Sequence, residues 1–202
     1  MLRMPETTLL AVMTRDADSR GLLIAERLGA VAFVTVLTAA AAQISVPLPF
    51  TPVPFTFQPM IVLLGAMALG SRLGAASQVL YLMLGVLGVP VFAASPLPQG
   101  IARLIGPTGG YLMAYPAAAF VAGWLAERGL DRRYLTSVAA MACGLAIVFA
   151  SGVSWLALYV NAGRGMGAAL AAGLYPFIIK DLVKLLLAAA VMPRVWAFTG
   201  RR

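Results

Sequence analysis

The chain has 202 residues, 61% hydrophobic and 11% charged, with a formal net charge of +8. Soluble domains carry roughly 45–50% apolar and about 25% charged residues, so this composition points to a single-domain integral membrane protein. With no histidine and one cysteine, histidine-based metal sites, Ser-His-Asp triads and disulfide frameworks are excluded, and basic residues that flank apolar runs instead of clustering exclude a nucleic-acid footprint.

Residues 1–26 read as a cytoplasmic tail. Its apolar piece Thr8-Leu-Leu-Ala-Val-Met13 runs into Arg15, Asp16, Asp18 and Arg20 and not into a small-residue cleavage site, so it does not resemble a cleaved signal. Leu22 to Arg27 suits a helix lying along the membrane surface. Six apolar segments follow, at about 27–45, 55–70, 72–90, 109–126, 135–160 and 168–193. A span needs roughly 17–25 residues, which makes the second short and the fifth generous. No alternation of the β-barrel kind is visible. The expected fold is all-α: one bundle of six transmembrane helices over residues 27–193, closed by a basic tail at 194–202.

With both termini placed inside, eleven of the fifteen basic residues fall on inner segments. Only Arg103 and Arg164 lie in outer loops, and the remaining two are Lys180 and Lys184. The positive-inside rule therefore orients the chain with cytoplasmic termini. Prolines are distributed the other way: nine of thirteen lie between spans one and two (Pro47, Pro49, Pro52, Pro54, Pro59) or three and four (Pro90, Pro96, Pro98, Pro107). Each fixes its own φ and restricts its predecessor. These two stiff apolar connections suit covers over a pocket, although plain helix connectors would have the same composition. The inner links, Gly70-Ser-Arg72 and Glu127 to Tyr134, read as short solvated turns. Small-residue pairs such as Thr35 and Ala39, or Gly70 and Gly74, permit close helix packing. Cys143 reads as a small buried apolar residue.

Three groups of residues have chemical potential. Arg103, flanked by apolar residues ahead of Gly106-Pro-Thr-Gly-Gly-Tyr111, suits a carboxylate clamp or a guanidinium snorkelling to the interface. Tyr81, Phe92, Tyr111, Trp155, Tyr159 and Tyr175 suit either pocket walls or an aromatic belt. Gln58, Thr56 and Asn161 are polar groups near the same level, and Gln43 and Gln78 are candidates for burial between helices. The densest group is Tyr175-Pro-Phe-Ile-Ile-Lys-Asp-Leu-Val-Lys184, with three ionisable residues inside an apolar run. Charges there normally face a partner, a cavity or a ligand. Asp181 and Lys184 are i, i+3 neighbours, and Lys180 and Lys184 are i, i+4 neighbours. One acid against two bases leaves a positive surplus that an anionic ligand would balance. No nucleophile–base pair, carboxylate pair or ATP-binding signature is present, so the residues describe a binder or transport component, not an enzyme, and no cofactor is expected.

The runs Gln43-Ile-Ser-Val-Pro-Leu-Pro49 and Val53-Pro-Phe-Thr-Phe-Gln58 resemble the first outer loop of the BioY family. Tyr81-Leu-Met-Leu-Gly-Val-Leu-Gly-Val-Pro-Val-Phe92, Gly106-Pro-Thr-Gly-Gly-Tyr-Leu112 and Pro176-Phe-Ile-Ile-Lys-Asp-Leu-Val-Lys184 are similar to its next signatures. The resemblance covers about residues 27–193 and implies a biotin-specific substrate-binding subunit of an energy-coupling-factor transporter in the cell membrane. It implies six helices, and biotin held beneath the first outer loop by Asp181 and Lys184, with Arg103 and loop polar groups assisting. The site expected from these residues comprises Asp181, Lys184, Arg103, Gln58, Tyr81, Phe92, Tyr111 and Tyr175. The implied partners are a transmembrane coupling subunit and two cytoplasmic ATPases. A homo-oligomer is compatible with the sequence. Lys180 stands where the pattern has a small residue, and the first helix lacks the Ala-x-x-x-Ala pattern associated with docking to the coupling subunit. A subunit for another small vitamin and a purely structural membrane subunit are the rival readings.

Overall fold

The computed structural model describes residues 8–14, 19–159 and 165–199, so the expectations for Asn161, Arg164 and the extreme termini lie outside the described residues. Two helices come first, α1 (Leu9–Met13) and α2 (Arg20–Gln43). Ser19 caps α2 by accepting from the Leu22 amide at 3.2 Å. Leu22 to Arg27 belongs to this continuous helix and not to a separate surface helix, because nothing between Arg20 and Gln43 breaks it. A short antiparallel ladder, β1 (Ser45–Val46) with β2 (Phe55–Thr56), then closes the proline-rich loop into a hairpin.

The remaining helices are α3 (Gln58–Leu69), α4 (Ser71–Val86), α5 (Ala102–Ile105), α6 (Gly109–Met113), α7 (Tyr115–Ala126), α8 (Tyr134–Tyr159), α9 (Gly165–Gly173), α10 (Tyr175–Ala189) and α11 (Val191–Phe198). Proline occupies the first turn of α3, α7 and α10, where the missing N–H costs no helical hydrogen bond. The expected segment at 109–126 is thus two helices, and that at 168–193 falls within three. By length and composition, α2 and α8 are each apolar enough to cross a membrane.

The core is built on α7, whose Ala118, Ala119, Ala122 and Ala126 are fully buried against Val62, Leu63, Ala66 and Met67 of α3. Short side chains let the backbones approach: a Cβ on Gly123 would lie 2.5 Å from the Gly70 carbonyl carbon, and one on Gly144 would lie 2.3 Å from Leu63. Gly70 turns the chain between α3 and α4 with a φ of 88°. Glu127 caps the α4 end, its Oε1 accepting from the Ser71 amide at 2.8 Å and hydroxyl at 2.9 Å. An acid at a helix N-terminus also meets the positive end of the dipole.

Several polar groups are buried within this apolar core, while large apolar side chains also cover the outer surface. Thr35 donates to Ser77 O at 2.9 Å, and Gln78 is fully buried beside Thr38. Phe33 and Val36 of α2 and Ile179 and Leu187 of α10 are exposed, as lipid-facing residues are. Cys143 is exposed as well, correcting the expected burial, since it shares the outward face of α8 with Ala142. Gln43 is exposed rather than buried; at the end of α2 it donates to Pro90 O at 3.3 Å. Far from the hairpin along the chain, the fully buried Asp131 accepts from Trp196 Nε1 at 2.6 Å, which ties α11 to the loop before α8. Burial pushes the Asp131 carboxyl above its ordinary range, while the Trp196 hydrogen bond opposes that rise.

Candidate functional site

A cavity lies beneath the hairpin. It encloses about 730 Å³ of empty space, a figure that includes solvent at its open mouth. Val53, Pro54 and Thr56 of the hairpin roof it, and Gln58 at the start of α3 enters from one side. Phe92, Ala93 and Ser95 with Arg103 of α5 form another wall. Tyr111, Tyr115, Val148 and Phe149 line the interior, and Phe177 and Asp181 of α10 complete it.

The face that α10 presents follows from its register. Phe177, Asp181 and Lys184 stand at i, i+4 and i+7, one stripe of a helix, and all three are buried. Tyr175 falls off that stripe: it is 60% exposed, does not line the cavity, and so departs from the expected set. Lys180 is exposed too.

Lys184 sits behind Asp181, forms an ion pair with it, and donates to the Thr56 carbonyl at 2.6 Å. Its ammonium lies 4.1 Å from the Phe55 ring centroid and 5.4 Å from that of Phe57, which places it against the electron-rich faces of two aromatics. Asp181 reaches the cavity wall; Lys184 does not. The pair is therefore charge-matched, and Lys184 fastens α10 to the roof.

Arg103 has no such partner. It is 5% exposed and lines the cavity, and among the described residues it forms no ion pair and its Nε has no hydrogen-bond partner. Burial lowers the guanidinium from its ordinary value and the nearby Tyr81 phenol opposes this, yet an arginine stays charged in proteins. The cavity thus carries one uncompensated positive charge with a forked donor geometry, which suits a single carboxylate.

Gln58 donates to the Tyr81 hydroxyl at 2.6 Å, and that hydroxyl donates to Val91 O at 3.1 Å. Tyr81 lies behind the wall and orients Gln58 rather than lining the cavity. Its ring meets Phe92 edge-on at 5.4 Å, and Phe92 rests where a Cβ on Gly85 would lie 2.0 Å from its ring. Tyr111 threads between helices in the same way, its hydroxyl donating to Gly173 O at 2.9 Å. Of the expected residues, Asp181, Arg103, Gln58, Phe92 and Tyr111 meet at one cavity, with Lys184 and Tyr81 directly behind it.

The sequence reading missed Tyr115, Phe177 and the Thr56 carbonyl. Phe177 was within reach, four residues before Asp181 on the same helical stripe. Tyr115 carried no such signal, because its place depends on how α6 and α7 join.

The family model described as the BioY family matches residues 12–201. A probable biotin transporter BioY of Pyrococcus horikoshii is 42% identical over 171 residues, covering 85% of this chain and 96% of its own length. The biotin transporter BioY of Thermotoga maritima is 40% identical over 161 residues, covering 80% and 90% respectively. A crystal structure described as the S-component for biotin from an ECF-type ABC transporter superimposes with a TM-score of 0.77 at 25% identity, over 90% of this chain and 95% of that one. Matched along nearly its whole length in sequence and in fold, the chain belongs to the BioY family.

Proposed function

We propose that this chain binds biotin and takes it up across the membrane, as the substrate-binding subunit of an energy-coupling-factor transporter. The observation that carries the reading is the open-mouthed, largely apolar cavity holding both an unpaired arginine and a charge-matched acid. Biotin has the complementary parts. Its valerate carboxylate matches Arg103. Its ureido group, with two N–H donors and one carbonyl, matches Asp181 and the Gln58 amide. Its thioether ring suits the Phe92 and Tyr111 walls. Lys184 acts by balancing Asp181 and holding Thr56, and Tyr81 acts through Gln58; Tyr175 has no part.

In this reading the bundle crosses the cell membrane six times with both termini cytoplasmic, so that the hairpin and cavity face outward. The positive-inside count supports that orientation. The fourth span combines α6 and α7, and the sixth is built on α10. The chain works with a transmembrane coupling subunit and two cytoplasmic ATPases and performs no chemistry of its own.

Equilibrium binding to the detergent-purified full chain tests the reading. Biotin should bind with one-to-one stoichiometry, and an analogue whose ureido group is replaced should bind far more weakly, because the polar groups of the site are then left unpaired. A monodisperse chain that ignores biotin and binds another vitamin would overturn it.

A further inference from the structure

Lys180 is the one charged residue of α10 outside the buried Asp181–Lys184 pair. It is exposed, with apolar neighbours Ile179, Leu182 and Val183 exposed beside it. Among the described residues it has no ion-pair partner. Its ammonium lies 5.5 Å from the centroid of the Phe55 ring, and the Lys184 ammonium lies 4.1 Å from that same centroid. Phe55 thus stands within reach of an exposed cation and a buried one. It also directly precedes Thr56, which roofs the cavity.

The two lysines differ in their charge environment. Asp181 neutralises Lys184, whereas the Lys180 charge is left over. A cation on an otherwise lipid-facing helix is costly and is normally retained for a task. Here its field covers the roof of a cavity whose interior carries one more uncompensated cation, Arg103.

Building on the biotin reading, we infer that Lys180 is a capture residue. Its exposed ammonium attracts the carboxylate of the incoming ligand to the rim beside Phe55, before the carboxylate reaches Arg103 inside. Because the Lys180 ammonium lies outside the cavity, near Phe55 of the roof, the attraction is felt during approach and lost once the ligand is enclosed. The residue acts on the association rate and not on the dissociation rate, as peripheral charges do. The effect depends on the ligand's charge and weakens as salt shortens the Debye length.

The test is stopped-flow association of biotin with the full chain in uncharged detergent, which leaves anionic lipid out. Lys180→Gln should lower the association rate constant about tenfold at low ionic strength, the low end of what electrostatic steering delivers. The dissociation rate should stay unchanged, and Lys180→Arg should restore association. Biotinamide, which lacks the negative charge, should associate equally fast with wild type and Lys180→Gln. Equal slowing of biotin and biotinamide would show that Lys180 acts by packing against Phe55, which overturns the inference. Unchanged association of biotin overturns it too. Loss of biotin binding by wild type would instead remove the biotin reading itself, a result distinct from either.

Discussion

The ammonium of Lys184 donates to the backbone carbonyl of Thr56 at 2.6 Å, joining residues 128 apart in sequence. Its charge is matched by Asp181 one turn earlier on α10. The same side chain therefore completes the cavity roof and licenses a buried carboxylate at the cavity wall. Assembly of the site and docking of α10 onto the hairpin are one event, and single substitutions here mix stability with binding.

Lys184→Ala should accordingly do two things. It strands Asp181 as an uncompensated buried charge, a change that costs about 3–5 kcal/mol when one partner of a buried pair is removed, and it frees the hairpin. Thermal unfolding in detergent should show a lower midpoint, and biotin binding should be lost. The double variant Asp181→Leu/Lys184→Met separates the two effects. Replacing both charges with apolar groups of similar size is often neutral for stability. A double variant that melts like wild type yet binds no biotin assigns the pair to the ligand; one that binds normally removes Asp181 from the site.

Arg103→Gln should weaken biotin selectively at its carboxylate. A hydrogen bond to a charged group contributes about 1.5–3 kcal/mol, or roughly 10- to 150-fold in Kd. The check is to compare biotin with biotinamide by calorimetry. Wild type should prefer the acid and the variant should show little preference. Equal loss for both ligands would mean that Arg103 only shapes the wall.

Gly152 and Gly173 make room for Tyr111: a Cβ on Gly152 would lie 2.2 Å from its ring, and one on Gly173 the same distance from its hydroxyl. Gly152→Ala must push the ring toward the cavity, and such overpacking typically costs about 1–3 kcal/mol. Biotin affinity should fall together with the unfolding midpoint. Tyr111→Phe keeps the ring and loses only the bond to Gly173 O, so it should lower stability by about 1 kcal/mol and leave affinity nearly unchanged. If Gly152→Ala bound biotin like wild type, Tyr111 would not be a wall of the occupied site.

Much of this arrangement was legible in the residues. The charged stretch on α10 announced itself by cost, since Asp181 and Lys184 interrupt an apolar run. The isolation of Arg103 among apolar neighbours marked it in the same way. Azimuth was not legible. Tyr175 looks like a pocket aromatic until the break at Leu174, with φ −123° and ψ −60°, starts a new helix whose phase turns Tyr175 outward. The same uniform apolarity hid the junction of α6 with α7 and the division between α9, α10 and α11. In a lipid-facing bundle both faces of a helix are apolar, so hydrophobic periodicity carries little information about which face is buried. Cys143 shows the effect: its neighbours look like core from either side, yet it is exposed. Gln43 escapes burial because it stands at the end of α2, with solvent and loop carbonyls within reach.

Asp131 provides a prediction remote from the cavity. It is fully buried, accepts from Trp196 Nε1, and its other carboxylate oxygen has no hydrogen-bond partner among the described residues. Burial raises its folded-state pKa above the ordinary value. A carboxyl with a raised folded-state pKa stabilises the fold most when protonated. That contribution is fully present below the unfolded-state pKa of about 4 and is lost as pH rises through the folded value. Asp131→Asn keeps an acceptor for Trp196 and removes the titration. The unfolding midpoint of wild type relative to Asp131→Asn should therefore rise as pH is lowered from neutral toward about 4. Asp131→Leu, by contrast, orphans the buried indole N–H and should cost about 1–3 kcal/mol throughout that range. A wild-type midpoint that falls relative to Asp131→Asn over the same range would mean that Trp196 and the neighbouring Arg132 outweigh burial and hold Asp131 ionised.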